Sequence, residues 1–179
     1  MNQEELRKHR CCFTGHRPQK LNYTEEEIKV LLEKAIDKAI EKGYVTFITG
    51  MAMGVDIWAA EIVLQKRKSN KNIHLICAIP HPGFEKRRNE TEKNRFNKIV
   101  SNADFVRKIN SFYFSGCYQV RNEWMVNRSS LVIAAFDGRR GGTRNMIDYA
   151  KKNDIEVWNI LKYVWKIFRN NWQHIEKVV

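Results

Sequence analysis

The sequence predicts an α/β, Rossmann-like three-layer domain with a mainly parallel sheet and helices on both faces, and three observations carry that expectation. Short apolar runs rich in β-branched residues alternate along the chain with longer segments of helical periodicity, a pattern that right-handed crossovers fold into a parallel sheet. Glycines or prolines stand beside polar residues where those runs end, in TGHRP, TGMAMGVD, IPHPG and FDGRRGGT. The stretch 131–150, LVIAAFDGRRGGTRNMIDYA, holds the whole unit of buried strand, glycine turn and helix start. Thr143 is read there as the helix cap, its hydroxyl accepting an early N–H, while Gly141 and Gly142 let a ligand approach the backbone. Free N–H groups and the positive end of the helix dipole converge at that point, so the expected guest is a phosphate.

Each element can be justified in order. Residues 1–10 read as a basic N-terminal arm whose end, Arg7, Lys8, His9 and Arg10, either touches an anion or frays. Residues 11–14 form a first strand entering the loop Gly15, His16, Arg17, Pro18. A helix follows over 24–42: Thr24 and Glu27 fit a capping box, Ile28, Leu31, Leu32, Ala35, Ile36, Ala39 and Ile40 repeat at helical spacing, and Gly43 stops it. The second strand, 44–49, passes through Gly50 and Gly54 into a helix ending near Arg67. A third strand is expected over 73–79, a charged helix over about 84–101 and a short fourth strand over 103–106. An aromatic loop at 111–116 leads into a helix over 117–128 that carries Tyr118, Arg121, Asn122, Trp124 and Arg128. After the strand at 131–136 come a helix to about 153 and a last strand over 155–160. Segment 161–179 reads as an amphipathic helix with Leu161, Trp165, Phe168, Trp172 and Ile175 on one face, docked on its own domain or on a partner subunit in a homo-oligomer. An interfacial membrane helix is the lesser alternative.

With 179 residues and 43% hydrophobic content, the chain suits one well-buried core at 11–160, between the arm and the last helix. It contains no run long enough to span a membrane, and the start, MNQEELRKHR, lacks the apolar region of a secretory signal, so a cytoplasmic location is expected. Cys11, Cys12, Cys77 and Cys117 include no C-x-x-C pair and read as structural thiols; no metal and no cofactor is expected. The formal charge of +12 points to an anionic partner, whether nucleotide, nucleic acid or acidic membrane surface, unless the lysines are simply solvated.

In such sheets ligands lie beyond the carboxyl ends of the strands, where the four glycine- or proline-bearing loops emerge. The candidate ligand contacts are therefore Thr14, Gly15, Arg17, Gly50, Gly54, Asp56, His81, Gly141, Gly142 and Thr143. Arg17 stands out because its planar fork suits a phosphate. His16 and His81 lie in exit loops, where a histidine either touches phosphate or ribose or is merely surface.

The segments CCFTGHRP, TGMAMGVDIWAAE, 77–81, VRNEWMVNRS and DGRRGGTRNMIDYA together resemble the SLOG superfamily, and within it the small YpsA-like and YoqJ-like proteins, over about residues 9–160. That superfamily includes the Lonely Guy phosphoribohydrolases, the DNA-processing protein and sensor domains for nucleotide-derived signals. The resemblance implies a Rossmann-like fold and a nucleotide or ADP-ribose-like ligand. It matches Gly142 and Thr143 to the phosphate-binding Gly-Thr, and Arg121 to an arginine of the hydrolases. The hydrolases' catalytic glutamate falls on Met146, whose thioether cannot activate water. Arg121, Glu123 and Asp56 are the catalytic candidates that remain, with Asp137 behind them. Each also has a structural reading: a helix cap for Asp56, an ion pair with Arg121 or Arg128 for Glu123, a turn for Asp137.

Three functions are therefore carried forward. The first is binding or sensing of a nucleotide-derived ligand. The second is hydrolysis of an N-glycosidic or phosphoribosyl bond. The third is single-stranded nucleic-acid binding, suggested by the charge and by Tyr113, Phe114 and Tyr118 as stacking groups.

Overall fold

The computed structural model describes residues 2–163, and over that span the chain alternates strand and helix as expected. Its elements are α1 (Gln3–Lys8), β1 (Arg10–Gly15), α2 (Glu25–Glu41), β2 (Thr46–Thr49), α3 (Val55–Ser69), β3 (His74–Ile79), α4 (Glu90–Asn102), β4 (Phe105–Lys108), α5 (Cys117–Val126), β5 (Leu131–Ala135), α6 (Gly142–Lys152) and β6 (Glu156–Asn159). The six strands form one parallel sheet in the order β4-β3-β2-β1-β5-β6. The chain builds outward from β1 to β4, then returns to pair β5 with the free side of β1, matching Cys11 to Leu131 and Gly15 to Ala135. That reversal makes the gap between β1 and β5 the topological switch point.

Alternation along the strands divides the core. Cys11, Phe13, Phe47, Leu75 and Ile133 point to the face covered by α2, α3 and α4, where they meet Ile28, Leu32, Ile36, Val63, Phe96 and Ile99. Cys12, Ile48, Ala78 and Val132 point to the other face, against Met125 and Val126 of α5 and Met146 and Ala150 of α6. All four cysteines are buried and free, and burial pushes the Cys12 and Cys77 thiols up to about 12. Arg95 of α4 reaches Glu25 of α2 and Glu61 of α3, and Lys29 joins the same two carboxylates, tying the three helices across their exposed side. None of the described helices is long and apolar enough to cross a membrane.

Four expectations change. The arm at 1–10 contains a helix, α1, capped by the Asn2 side chain on the Glu5 N–H; Arg7 Nε donates to the Ser129 carbonyl and so fixes it to the domain. Helix α4 begins at Glu90, capped by Asn89, because residues 82–88 are spent in turns that carry Phe84 and Arg88 inward. Strand β4 starts two residues later than expected, since Asp104 is occupied in accepting from Leu75 N–H and Arg67. At the end of the chain, Leu161 lies buried in a short turn, Ile160–Tyr163, and the rest of the amphipathic segment falls outside the described residues.

Thr24 and Glu27 form the full capping box, hydroxyl to N–H and carboxylate to N–H. Thr24→Ala is expected to cost about 1 kcal/mol, read as a lower urea midpoint with an unchanged slope; an unchanged midpoint would show that α2 does not depend on its cap.

Candidate functional site

The exits of β1 and β5 lie side by side, held by the His16 N–H donating to the Ala135 carbonyl at 3.3 Å. A cavity of about 440 Å³ opens there, lined by the β1 exit from Phe13 to Arg17, by Lys20, Ala52, Asp56 and Phe84, by Tyr118, Arg121 and Asn122 of α5, and by Arg140, Gly141, Gly142 and Thr143. Its size is that of a small-molecule site, roughly 300–1,000 Å³. A groove of about 490 Å³ between the carboxyl-terminal halves of α3 and α4 is slightly larger. It lies away from the switch point, and none of the residues singled out in the exit loops lines it.

The cavity floor is a buried charge cluster. Asp56, in the first turn of α3, accepts the Ala52 N–H at 3.1 Å and faces Arg121 Nη1 at 4.0 Å. Arg121 donates from Nη1 to the Gly50 carbonyl and from Nε to Asn122 Oδ1 at 3.0 Å. A Cβ at Gly50 would overlap the Arg121 guanidinium, so glycine is required there for close approach. On the other side Arg88, stacked on Phe84 and Phe96, donates to the Met51 carbonyl. Two arginines thus hold consecutive carbonyls of one turn, and Met51 is kept at φ 60°, a left-handed conformation costing a non-glycine residue about 1–2 kcal/mol. Burial pushes the Asp56 carboxyl up against the opposing pull of Arg121, and burial also lowers both guanidiniums.

The mouth is built from two other elements. Helix α6 starts with Gly141 as its N-cap, at φ 144°, and no side chain caps it. Thr143 is therefore not the cap: it sits two residues too late and is buried within the first turn, and no side chain caps the leading N–H groups beside the cavity. Opposite, Tyr118 packs against Phe84 with ring centroids 5.9 Å apart and is 42% exposed, and the outer rings Phe112, Tyr113 and Phe114 are exposed beside it. Between these walls His16, buried, places Nε2 2.9 Å from Asp137 Oδ1. Burial lowers the His16 imidazole against the raising effect of Asp137, with Arg139 and Lys20 adding to the lowering.

Of the residues singled out from sequence, Thr14, Gly15, Arg17, Asp56, Arg121, Gly141, Gly142 and Thr143 line the one cavity. Gly50 lies beneath its floor. Gly54 faces a neighbouring hollow with Pro18, Tyr23 and Trp58 instead. His81 is set back in the aromatic cluster of Phe84, Tyr113 and Tyr118, its Nδ1 2.9 Å from the Pro82 carbonyl. Glu123 does not reach the cavity and pairs with neither arginine; it accepts from Gln119 one helical turn earlier. Met146 points into the core of the α5–α6 face. The lining residues Asn122, Phe84, Lys20 and Arg140 were not singled out, and only Arg140, inside the glycine turn, had a local signal.

This geometry defines a class: a Rossmann-like α/β protein with a crevice at its switch point. Residues 11–163 match the model of the YspA SLOG family, and the chain belongs to that family. It is similar to a UPF0398 protein of Halalkalibacterium halodurans, 30% identical over 70% of this chain and 68% of the relative. The SPbeta prophage-derived protein YoqJ of Bacillus subtilis is 29% identical over 76% of this chain and 86% of that protein. Among solved structures, DNA processing protein A of Helicobacter pylori, described with a single-stranded DNA binding mode, superimposes with a TM-score of 0.60 at 18% identity, over 87% of this chain and 66% of that one, and so shares the fold.

Removing Arg121 leaves Asp56 buried without its cation. Arg121→Met is expected to cost about 3–5 kcal/mol, and adding Asp56→Asn is expected to recover part of that loss. A double-mutant cycle by urea denaturation checks it, and additive losses would show that the two groups do not interact.

Proposed function

We propose that this protein binds a nucleotide-derived ligand, a nucleoside phosphate or an ADP-ribose-like molecule, in the crevice between β1 and β5. The observation that carries the reading is the uncapped start of α6 at Gly141, Gly142 and Thr143, open to a cavity that also receives Arg17, Lys20, Arg140 and Arg121. Helix N–H groups and a positive dipole end favour a phosphate there, and the arginine forks supply bidentate donors. The cluster beneath buries two guanidiniums against a single carboxylate, so a bound anion offsets an excess of buried positive charge. Tyr118 and Phe84 offer a flat apolar wall at a distance from the phosphate end, which suits a base. With Met146 in the core, the glycosidic hydrolysis of the Lonely Guy phosphoribohydrolases has no carboxylate at its expected position, and this favours binding over that reaction.

A specific observation supports a second reading. Phe112, Tyr113, Phe114 and Tyr118 form an exposed aromatic strip at the mouth of the crevice on a chain of charge +12, an arrangement suited to stacking the bases of single-stranded nucleic acid. The likeness in fold to a DNA processing protein is consistent with it.

A Cβ at Gly142 meets only the Asn122 amide, at 4.0 Å, so Gly142→Leu projects into the cavity without straining the fold. With AMP, ADP, NAD or ADP-ribose at about a hundred times its dissociation constant, the wild-type midpoint is expected to rise by about 5–10 °C. Gly142→Leu should melt as wild type does yet show no rise; a retained rise would displace the pocket. Tyr118→Ala is expected to weaken base-containing ligands by about 1–3 kcal/mol while leaving inorganic pyrophosphate unaffected. If an oligothymidylate binds with a steep salt dependence and no mononucleotide does, the second reading replaces the first.

A further inference from the structure

We propose that His16 and Asp137 form an acid–base dyad that hydrolyses a P–O bond of the nucleotide seated on α6, with His16 as the catalytic residue and Asp137 as its positioning residue. The inference rests on the phosphate site described above and adds a reaction to it. His16 is 4% exposed, lines the cavity and holds Nε2 2.9 Å from Asp137 Oδ1. Its ring packs on Phe136 with centroids 5.5 Å apart, and its own N–H is anchored on the Ala135 carbonyl, so the imidazole is held in place from three sides. Asp137 is fixed in turn, accepting the Arg139 backbone N–H at 3.1 Å and facing Arg139 Nε at 2.9 Å. Asp137 stands against Nε2 in ion-pair contact, outside hydrogen-bond geometry, so that Nε2 is a buried nitrogen whose one close polar neighbour is this carboxylate, and Nδ1 is left as the working atom.

The dyad stands where a phosphoryl group would be. His16 continues β1 and Asp137 begins the loop that leads to Gly141 and Gly142, so both belong to the two strand exits that frame the open end of α6. The glycosidic bond of the same ligand would lie farther out, toward Tyr118, which is why the geometry points to phosphorus. In the step proposed, a water oxygen attacks phosphorus and gives its proton to His16 Nδ1. The P–O bond to the leaving group breaks, the leaving oxygen keeps the electron pair, and the proton passes from the imidazolium to it or to solvent. The helix N–H groups and Arg121 stabilise the charge on the phosphoryl oxygens. Burial keeps His16 neutral near pH 7, as a base must be, while Asp137 opposes that lowering.

The test uses the full chain with ATP, ADP-ribose and NAD, each with and without Mg²⁺, in ¹⁸O-labelled water, with products followed by anion-exchange chromatography and ³¹P NMR. Label in the phosphate product is expected. His16→Asn should lower turnover by about 100-fold or more while keeping the nucleotide-induced rise in melting temperature. Asp137→Asn should lower turnover less and move the acidic limb of the pH–rate profile to lower pH, because the carboxylate raises the His16 pKa; a residue that only supports the fold would not move that limb. Nucleotides that bind and yield no product overturn the proposal, as does full activity in His16→Asn or release of free base in place of labelled phosphate. If no nucleotide binds, the phosphate site itself is wrong and the dyad's role falls with it.

Discussion

The turn from Gly50 to Asp56 can hold its shape only because two buried arginines grip it. Carbonyls at the end of a central strand need donors, and here Arg121 supplies Gly50 and Arg88 supplies Met51 from opposite sides. The grip comes from α5 and from the turns before α4, which lie on different faces of the sheet, so the floor of the crevice joins both layers of the molecule. Asp56 makes the arrangement tolerable by setting one negative charge among two positive ones, and it spends a lone pair on the Ala52 N–H to hold the same loop. The left-handed Met51 is the visible strain of that arrangement. A floor of this kind is rigid, and rigidity is what lets the mouth present its groups without first paying to order them.

The mouth is assembled from elements that have little to do with one another in sequence. Backbone donors come from α6, flexible cations from Arg17, Lys20 and Arg140, and apolar area from Phe84 and Tyr118. Only the parallel topology unites them: reversing direction at β1 leaves the exits of β1 and β5 adjacent with no crossover helix between them. Some of the chain's basic residues serve the fold instead. Lys29, Lys66, Arg67 and Arg95 are engaged with carboxylates on the α2–α3–α4 side, where they fasten helices. Net charge of this kind raises the encounter rate with any anion and by itself selects none.

Most of the architecture was legible because it follows from local rules. Periodicity gave six strands, and the capping box at Thr24 and Glu27 appears as expected. The errors share a cause in distance or phase. Asn122 enters the crevice and Glu123 does not, because one residue of helix turns a side chain by about 100°, and which phase faces inward is decided by packing against α6. Gly141, not Thr143, starts α6, since glycine can take a φ of 144° and end the loop two residues sooner. Phe84 reads as the start of a helix, yet the turns after Pro82 carry it to Tyr118, a neighbour that no local window contains. His16 and Asp137 meet for the same reason: strand pairing brings together residues some 120 positions apart, and the sequence offers no sign of it.

Met146 shows how position within an element governs what chemistry a fold can host. Its side chain is buried in the cluster of Cys12, Ile48, Ala78 and Met125 and is not among the residues lining the crevice. A carboxylate there would have to desolvate a charge or hold a proton. Helix α6 therefore presents no carboxylate from its fifth residue, Met146, to the crevice. Among the described residues, the buried ionisable groups that line the crevice are His16 beyond β1, Asp56 in the first turn of α3 and Arg121 of α5. Asp56 is already committed to Ala52 and Arg121, so its lone pairs serve the floor. His16, packed on Phe136 beside Asp137 and lining the same cavity, is not committed to the floor in that way.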